Sequence, residues 1–95
     1  MPKEVKKIQT QILPILKKAG VLRSSVFGSF SRGEAKPGSD IDILVDMKKN
    51  ADLLDFVRLK FSLEKKLRRK VDLVTYGNLS PFIKDQVQKD QVKIL

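Results

Sequence analysis

Apolar residues recur at intervals of three and four along the first stretch of the chain, which predicts an amphipathic helix from Lys3 to Ala19. Pro14 lies inside this stretch and predicts a kink or a restart near Leu13, because proline removes a backbone donor from a helix interior. Gly20 follows as a C-terminal stop. The apolar positions of this helix are Val5, Ile8, Ile12, Ile15, Leu16 and Ala19.

Two strands are predicted next, one on each side of a loop. The segment from Val21 to Phe27 is rich in β-branched and apolar residues. Gly28 to Gly38 contains three glycines and a proline, which is typical of a loop. From Ile41 to Asp46 the residues alternate, with one face apolar and the other carrying two carboxylates. The apolar face holds Ile41, Ile43 and Val45, and the other holds Asp40, Asp42 and Leu44.

The second half of the chain predicts two helices and a further strand. Asn50 or Asp52 can cap a helix that runs to about Arg68. A third strand follows from Lys70 to Tyr76, and Ser80 with Pro81 opens a last helix to about Lys89. Val92 to Leu95 can add a short edge strand. The apolar stripe of the middle helix is predicted to hold Leu53, Phe56, Val57, Leu59, Phe61, Leu63 and Leu67.

The order of these elements predicts an α/β (α+β) fold in a single domain over residues 1–95. The first two strands are joined by a loop of about a dozen residues, which favours an antiparallel pair. The helix between the second and third strands allows a right-handed parallel crossover. We therefore expect a small mixed β-sheet with helices packed on one face.

Composition limits the chemistry. The chain has neither histidine nor cysteine, so oxygen atoms must hold any metal ion, which favours Mg²⁺ or Mn²⁺. The net charge of +9 fits a nucleic-acid partner or a polyphosphate substrate. It fits a solvated, lysine-rich surface equally well, because no aromatic residues are interleaved with the basic ones. No apolar run is long enough for a membrane span and no signal-peptide core is present, so we expect a cytoplasmic protein.

Three aspartates are candidates for a metal site. Asp40 and Asp42 are two residues apart in a strand, so their carboxylates share a face about 7 Å apart at the backbone. Asp72 lies between Val71 and Leu73 in the third strand and can reach the same place if the two strands are neighbours. Two metal ions held there could support an in-line displacement at phosphorus. Each aspartate taken alone is better explained as a solvent-facing strand residue.

The loop before these carboxylates contains a candidate phosphate site. Gly28 permits close approach of the backbone, and Ser29 adds an N–H and a hydroxyl group. Arg32 can add a charge-assisted contact, and Gly33 suits a left-handed turn. Ser39 can orient a carboxylate or simply end the loop. The alternative for the whole segment is a surface turn with an incidental arginine.

Together these residues resemble the minimal nucleotidyltransferase (MNT) group of the DNA polymerase β-like nucleotidyltransferase superfamily. Its pattern, G-S-x-x-R-G followed by S-D-x-D, matches the chain from Gly28 to Asp42, and Asp72 fits the distant third acid. The resemblance implies transfer of a nucleoside monophosphate from an NTP, with ATP expected, to an acceptor hydroxyl. It further implies that Asp40, Asp42 and Asp72 bind two Mg²⁺ ions and are catalytic. The nucleotide would be bound by Gly28, Ser29, Arg32, Gly33 and Ser39.

The same resemblance implies a partner. MNT proteins are typically antitoxins that attach AMP to a tyrosine of a HEPN-domain ribonuclease toxin. Two alternatives stay open: a nucleotidyltransferase that acts on RNA or a small molecule, and a binding module that neutralises a partner without turnover. The acceptor residue, the number of nucleotides transferred and the oligomeric state, including a homo-oligomer, are not determined by the sequence. Direct nucleic-acid binding is possible but is not favoured.

Overall fold

The computed structural model describes all residues from Met1 to Leu95. The chain forms three helices and four strands, and a single turn of 3₁₀-helix lies at Tyr76–Asn78. In chain order the elements are α1 (Lys3–Lys18), β1 (Arg23–Phe27), β2 (Ile41–Asp46), α2 (Leu53–Leu67), β3 (Val71–Thr75), α3 (Pro81–Asp90) and β4 (Val92–Lys93). None of the helices combines the length and the apolar character needed to span a bilayer.

The four strands form one mixed sheet in the order β3-β2-β1-β4. The pairs β1–β2 and β1–β4 are antiparallel, whereas β2–β3 is parallel and is connected through α2. The predicted mixed sheet is therefore confirmed, including the short edge strand near the end of the chain. Because β2 and β1 are the inner strands, the residues of β2 are fixed by hydrogen-bonded neighbours on both sides.

The main core lies on one face of the sheet, beneath α1 and α2. The apolar residues of β2 on that face, Ile41, Ile43 and Val45, are each no more than 1% exposed and belong to one cluster with α1 and α2. These contacts follow from the predicted periodicities, since the strand alternates every second residue and the helices present a stripe every third or fourth.

The third helix packs on the opposite face. Val87 of α3 is buried against Phe27 and Leu44, which project from the face that also carries Asp42. The α/β fold class is confirmed, but the predicted placement of the helices on one face holds only for α1 and α2. The physical reason is that Phe27 and Leu44 are large apolar side chains on the second face of the sheet and must be covered to be shielded from water.

Local signals placed most helix ends correctly. Asp52, rather than Asn50, caps α2 through a capping box with Asp55, which satisfies two backbone N–H groups. Of the predicted kink or restart near Leu13, the restart is wrong, because α1 is one helix that includes Pro14. Pro14 lies on the exposed side, as does Thr10, whose carbonyl group loses its helical donor to the proline and can bond water instead.

The predicted stripe of α2 is only partly buried. Leu59 and Leu63 are in the core, but Leu53 is 76% exposed and Phe61 is 62% exposed. The periodicity identifies one face of the helix but does not say how far that face extends past the sheet that covers it.

Candidate active site

Asp42 and Asp72 lie side by side at the edge where β2 and β3 begin. The two residues are direct partners in the parallel ladder, so their side chains leave the same face of the sheet. Asp40 precedes β2 and is close enough to add to the local negative charge. The structure therefore brings the three predicted carboxylates to one region.

This crowding changes the acidity of Asp42. Burial, which is the largest cause, and then the neighbouring charges of Asp72 and Asp40 together raise the pKa of the Asp42 carboxyl group to about 6. Arg32 acts in the opposite sense, and its effect is smaller. A carboxyl group with this pKa is mostly ionised at pH 7, at a cost that a cation would relieve.

Gly28 is in direct contact with the Asp42 carboxyl group. Its φ angle is +74°, in the left-handed region that favours glycine, and a Cβ atom at this position would overlap Oδ2 of Asp42. From its place in the sequence, Gly28 is predicted to allow close approach of the backbone to a phosphate. The structure adds a second reason, since glycine also leaves the space in which the Asp42 side chain lies.

The turn that follows Gly28 is closed by its own backbone. The carbonyl oxygen of Gly28 accepts hydrogen bonds from the N–H groups of Ser31 (3.1 Å) and Arg32 (3.2 Å) and from the Ser31 hydroxyl (2.7 Å). Ser29 is half-buried at the start of this turn, and its carbonyl accepts a bond from Glu34 N–H. Gly33 has a φ of +72°, as the predicted left-handed turn requires. The turn is thus ordered by the chain itself next to the carboxylates.

Arg32 makes contacts that the sequence did not predict. Its guanidinium donates to Asp90 at 2.7 Å and to Glu34 at 3.2 Å. These bonds raise the pKa of Arg32 above its ordinary value, and the bond from Arg32 lowers the pKa of Asp90. Arg32 therefore ties the turn to the end of α3. No sequence signal could have identified Asp90, because it lies 58 positions from Arg32.

Ser39 and Arg69 order the segment before Asp40. The Ser39 hydroxyl accepts a bond from Lys36 N–H at 2.9 Å, which places it at the end of the loop. The Arg69 guanidinium donates to the Ser39 carbonyl at 2.8 Å and to the Lys36 carbonyl at 3.3 Å, and it lies over the Phe30 ring. Arg69 was missed, although the basic run just before β3 was a visible signal.

The donors fit a hard divalent cation, because the site offers carboxylate oxygens and no softer ligand. The burial of Asp42 and its repulsion by Asp72 and Asp40, which together raise its pKa, both disfavour its charge, and a bound cation would relieve that cost. However, no group of three or more potential ligands is gathered closely enough in the structure to hold a metal ion. Ligation of a metal ion by Asp40, Asp42 and Asp72 therefore remains a prediction.

Comparison with known proteins gives a consistent result. A family model described as a nucleotidyltransferase domain matches residues 9–94. A Methanocaldococcus jannaschii protein named as a candidate protein adenylyltransferase is 46% identical over 91 residues, which cover 96% of this chain and 98% of that protein. Protein adenylyltransferase MntA of Thermococcus cleftensis is 44% identical over 75 residues, which cover 79% of this chain and 76% of that protein.

A solved structure shares the fold of this chain. A crystal structure of a toxin–antitoxin with AMP-PNP aligns with a TM-score of 0.78 and 27% identity, over 92% of this chain and 72% of that chain. The predicted resemblance and the predicted class of enzyme are confirmed. With the family model covering all but the first eight residues and the last, and with the motif from Gly28 to Asp42 inside it, the chain belongs to the nucleotidyltransferase domain family.

Proposed function

We propose that this protein transfers AMP from ATP to the hydroxyl group of a tyrosine in a HEPN-domain ribonuclease, and so acts as the antitoxin of a toxin–antitoxin pair. The observation that carries the proposal is the in-register pair of Asp42 and Asp72, with Asp40 beside it, at the turn of Gly28 and Ser29. Relatives named as protein adenylyltransferases support this reaction, and the toxin–antitoxin with AMP-PNP supports both partner and nucleotide.

Asp40, Asp42 and Asp72 would hold Mg²⁺, with two ions expected and Mn²⁺ able to replace them. When bound, these ions would neutralise charge on the triphosphate and on the attacking and leaving oxygens. All three side chains must be ionised for this task. The raised pKa of Asp42 therefore predicts that the ions bind more weakly as the pH falls toward 6.

The other residues of the motif would bind and orient the nucleotide. The N–H groups of the Gly28 turn and the Ser29 hydroxyl would bind the terminal phosphates. Arg32, held by Asp90, would keep this turn in place and add positive charge near the phosphates. Gly33 and Ser39 would shape the two ends of the loop. Asp72 is exposed and would accept the proton of the acceptor hydroxyl.

The acceptor would approach the active site across a basic surface that lies next to the three carboxylates. A small cavity of about 240 Å³ at Asp40 is lined by no hydrophobic residue, and its lining includes Arg68, Arg69 and Lys70. The Arg69 guanidinium donates its hydrogen bonds to the loop carbonyls, whereas Arg68 and Lys70 are exposed. These two cations are placed to attract an acceptor that already carries negative charge, and they would also favour repeated transfer to the same acceptor.

The test is a transfer assay with a candidate HEPN protein, Mg²⁺ and labelled ATP. Label should appear on a tyrosine of that protein and be lost with Asp42→Asn. The matched control is Asp46→Asn, which removes a carboxylate from the same face of the same strand at a surface ion pair with Arg23. Label on RNA or on a small molecule would replace the proposed acceptor. Neutralisation that survives in Asp40→Ala/Asp42→Ala would instead establish a binding module.

A further inference from the structure

A second cavity lies on the same face of the sheet, at the opposite ends of the strands. It has a volume of about 560 Å³ and lies between α3 and the strands β1, β2 and β4. Ser25 and Leu44 are paired on its floor, whereas the next pair toward the active site is Phe27 with Asp42. The buried cluster of Phe27, Leu44 and Val87 separates it from the carboxylates. The cavity is therefore distinct from the active site.

The charged side chains that line this cavity are all positive. Arg23 from β1, Lys84 from α3 and Lys93 from β4 all line it, and no acidic side chain does so. Arg23 is paired with Asp46 at 3.3 Å, whereas neither lysine takes part in a salt bridge. Because Arg23 is already paired, the two lysines from α3 and β4 carry the uncompensated positive side-chain charge of this concave site, and an anion would balance it.

The floor of the cavity carries an ordered pair of hydroxyl groups. Ser25 is 3% exposed, and its Oγ lies 2.9 Å from the hydroxyl oxygen of Tyr76. The Arg23 guanidinium lies over the Tyr76 ring, 4.1 Å from its centroid. Two hydroxyls that share one hydrogen bond retain a second O–H donor between them. The pair can therefore donate one hydrogen bond to a molecule in the cavity.

The other residues that line the cavity are apolar or carry carboxamide groups. Leu44, Leu79 and Val87 provide apolar surface, and Gln88 and Gln91 provide carboxamides that can both donate and accept. The volume lies within the range of about 300–1,000 Å³ that is usual for small-molecule sites. An apolar wall, a few convergent polar groups and excess positive charge favour a phosphorylated ligand that also has a ring.

We propose that this cavity binds a small phosphorylated molecule of nucleotide size, with its phosphate at Lys84 and Lys93 and its ring against Leu44 and Leu79. The site does not depend on the proposed transfer reaction. Its ligand would touch β1, β4 and α3, and α3 is the helix whose last residue, Asp90, holds Arg32.

The experiment is an NMR titration of the ¹⁵N-labelled full chain with AMP, in the presence of a chelator so that the active site lacks metal. Binding should shift the amides of Ser25, Lys84 and Lys93. Lys84→Gln/Lys93→Gln should weaken AMP binding about tenfold or more, since each lysine would contribute a charge-assisted bond. The control, Lys65→Gln/Lys66→Gln, removes two exposed lysines of α2 and should leave the affinity unchanged.

Inorganic phosphate and adenosine separate the contributions of the phosphate group and of the nucleoside to AMP binding. Inorganic phosphate should shift the same lysine amides more weakly and should compete with AMP. Adenosine should bind more weakly than AMP and be insensitive to the loss of the lysines. The proposal is overturned if AMP shifts only residues 28–33 and Asp42, if no shift appears up to about 10 mM AMP, or if the control pair weakens binding as much as Lys84→Gln/Lys93→Gln.

Discussion

Asp42 and Asp72 are direct partners across the parallel strands β2 and β3, although thirty positions separate them in the chain. Their side chains leave the same face, and the charge of Asp72 is one of the causes that raise the pKa of Asp42 to about 6. The unfolded chain keeps these two carboxylates apart. Folding therefore brings them together at a cost in free energy that depends on protonation.

The first prediction concerns pH and stability without metal. Because the folded state binds a proton at Asp42 more tightly than the unfolded state, stability should be highest where Asp42 is protonated. The free energy of unfolding should fall by about 1 kcal/mol as the pH rises from about 4 to about 6, after allowance for the solvent exposure of the side chain. Urea unfolding in a chelator at several pH values measures this change.

The same experiment on Asp42→Asn should show a flatter profile over that interval, because the variant cannot lose the proton. Asp46→Asn, on the same face of the same strand, should retain the wild-type profile. A slope that is identical in the wild type and in Asp42→Asn would mean that another group causes the pH dependence.

The second prediction concerns metal binding. At pH 7, Mg²⁺ at ten times its dissociation constant should stabilise the wild type by about 1.4 kcal/mol and raise its melting temperature by roughly 6 °C or more. The gain should be smaller at pH 5, where Asp42 is largely protonated. Thermal melts with Mg²⁺ and with a chelator measure it. A gain that persists in Asp42→Asn/Asp72→Asn would place the bound ion elsewhere.

The third prediction separates two effects at Gly28. Gly28→Ala should be destabilised both by its φ of +74° and by the overlap of the new Cβ with Asp42, and AMP transfer should be lost as Asp42 is displaced. Gly38→Ala is the control, since its φ is +84° but a Cβ atom there would meet nothing within 4 Å. It should cost only about 1–2 kcal/mol and keep its activity. Equal losses of stability and activity in both variants would refute the contact with Asp42.

The fourth prediction concerns Asp90 as a positioning residue. Its carboxylate is 12% exposed and holds Arg32 at 2.7 Å. In Asp90→Asn the turn at Gly28 should be held less firmly, so the KM for ATP should rise roughly three- to tenfold with a smaller change in kcat. Glu34 is the other partner of Arg32, and its side chain is 64% exposed. Glu34→Gln should therefore raise the KM for ATP less than Asp90→Asn does. A larger effect from Glu34→Gln would reverse this assignment.

The sequence predicted the elements whose signals are local. The alternation from Ile41 to Asp46 matched β2 residue for residue, and Ser80 with Pro81 correctly opened α3. That Asp42 and Asp72 could meet was predicted on the condition that their strands are neighbours, which the helix between them allows. The face of each carboxylate followed from the period of its strand, but their direct pairing is known only from the structure.

The contacts that hold the site in place were not predictable in this way. Arg32 with Asp90 joins distant parts of the chain, and Arg69 with Ser39 does the same. The packing of α3 over Leu44 depends on how the whole chain folds back across the sheet. Periodicity indicates which face of an element is apolar, but it does not indicate which neighbour covers that face.

The crossover from β2 through α2 to β3 has a consequence for how such a protein can change during evolution. Because side chains alternate along a strand, a shift of β3 by one residue against β2 would turn Asp72 toward the core and present an apolar side chain at the active site. Insertions and deletions between Arg68 and Val71 that shift β3 in this way should therefore be eliminated by selection among descendants.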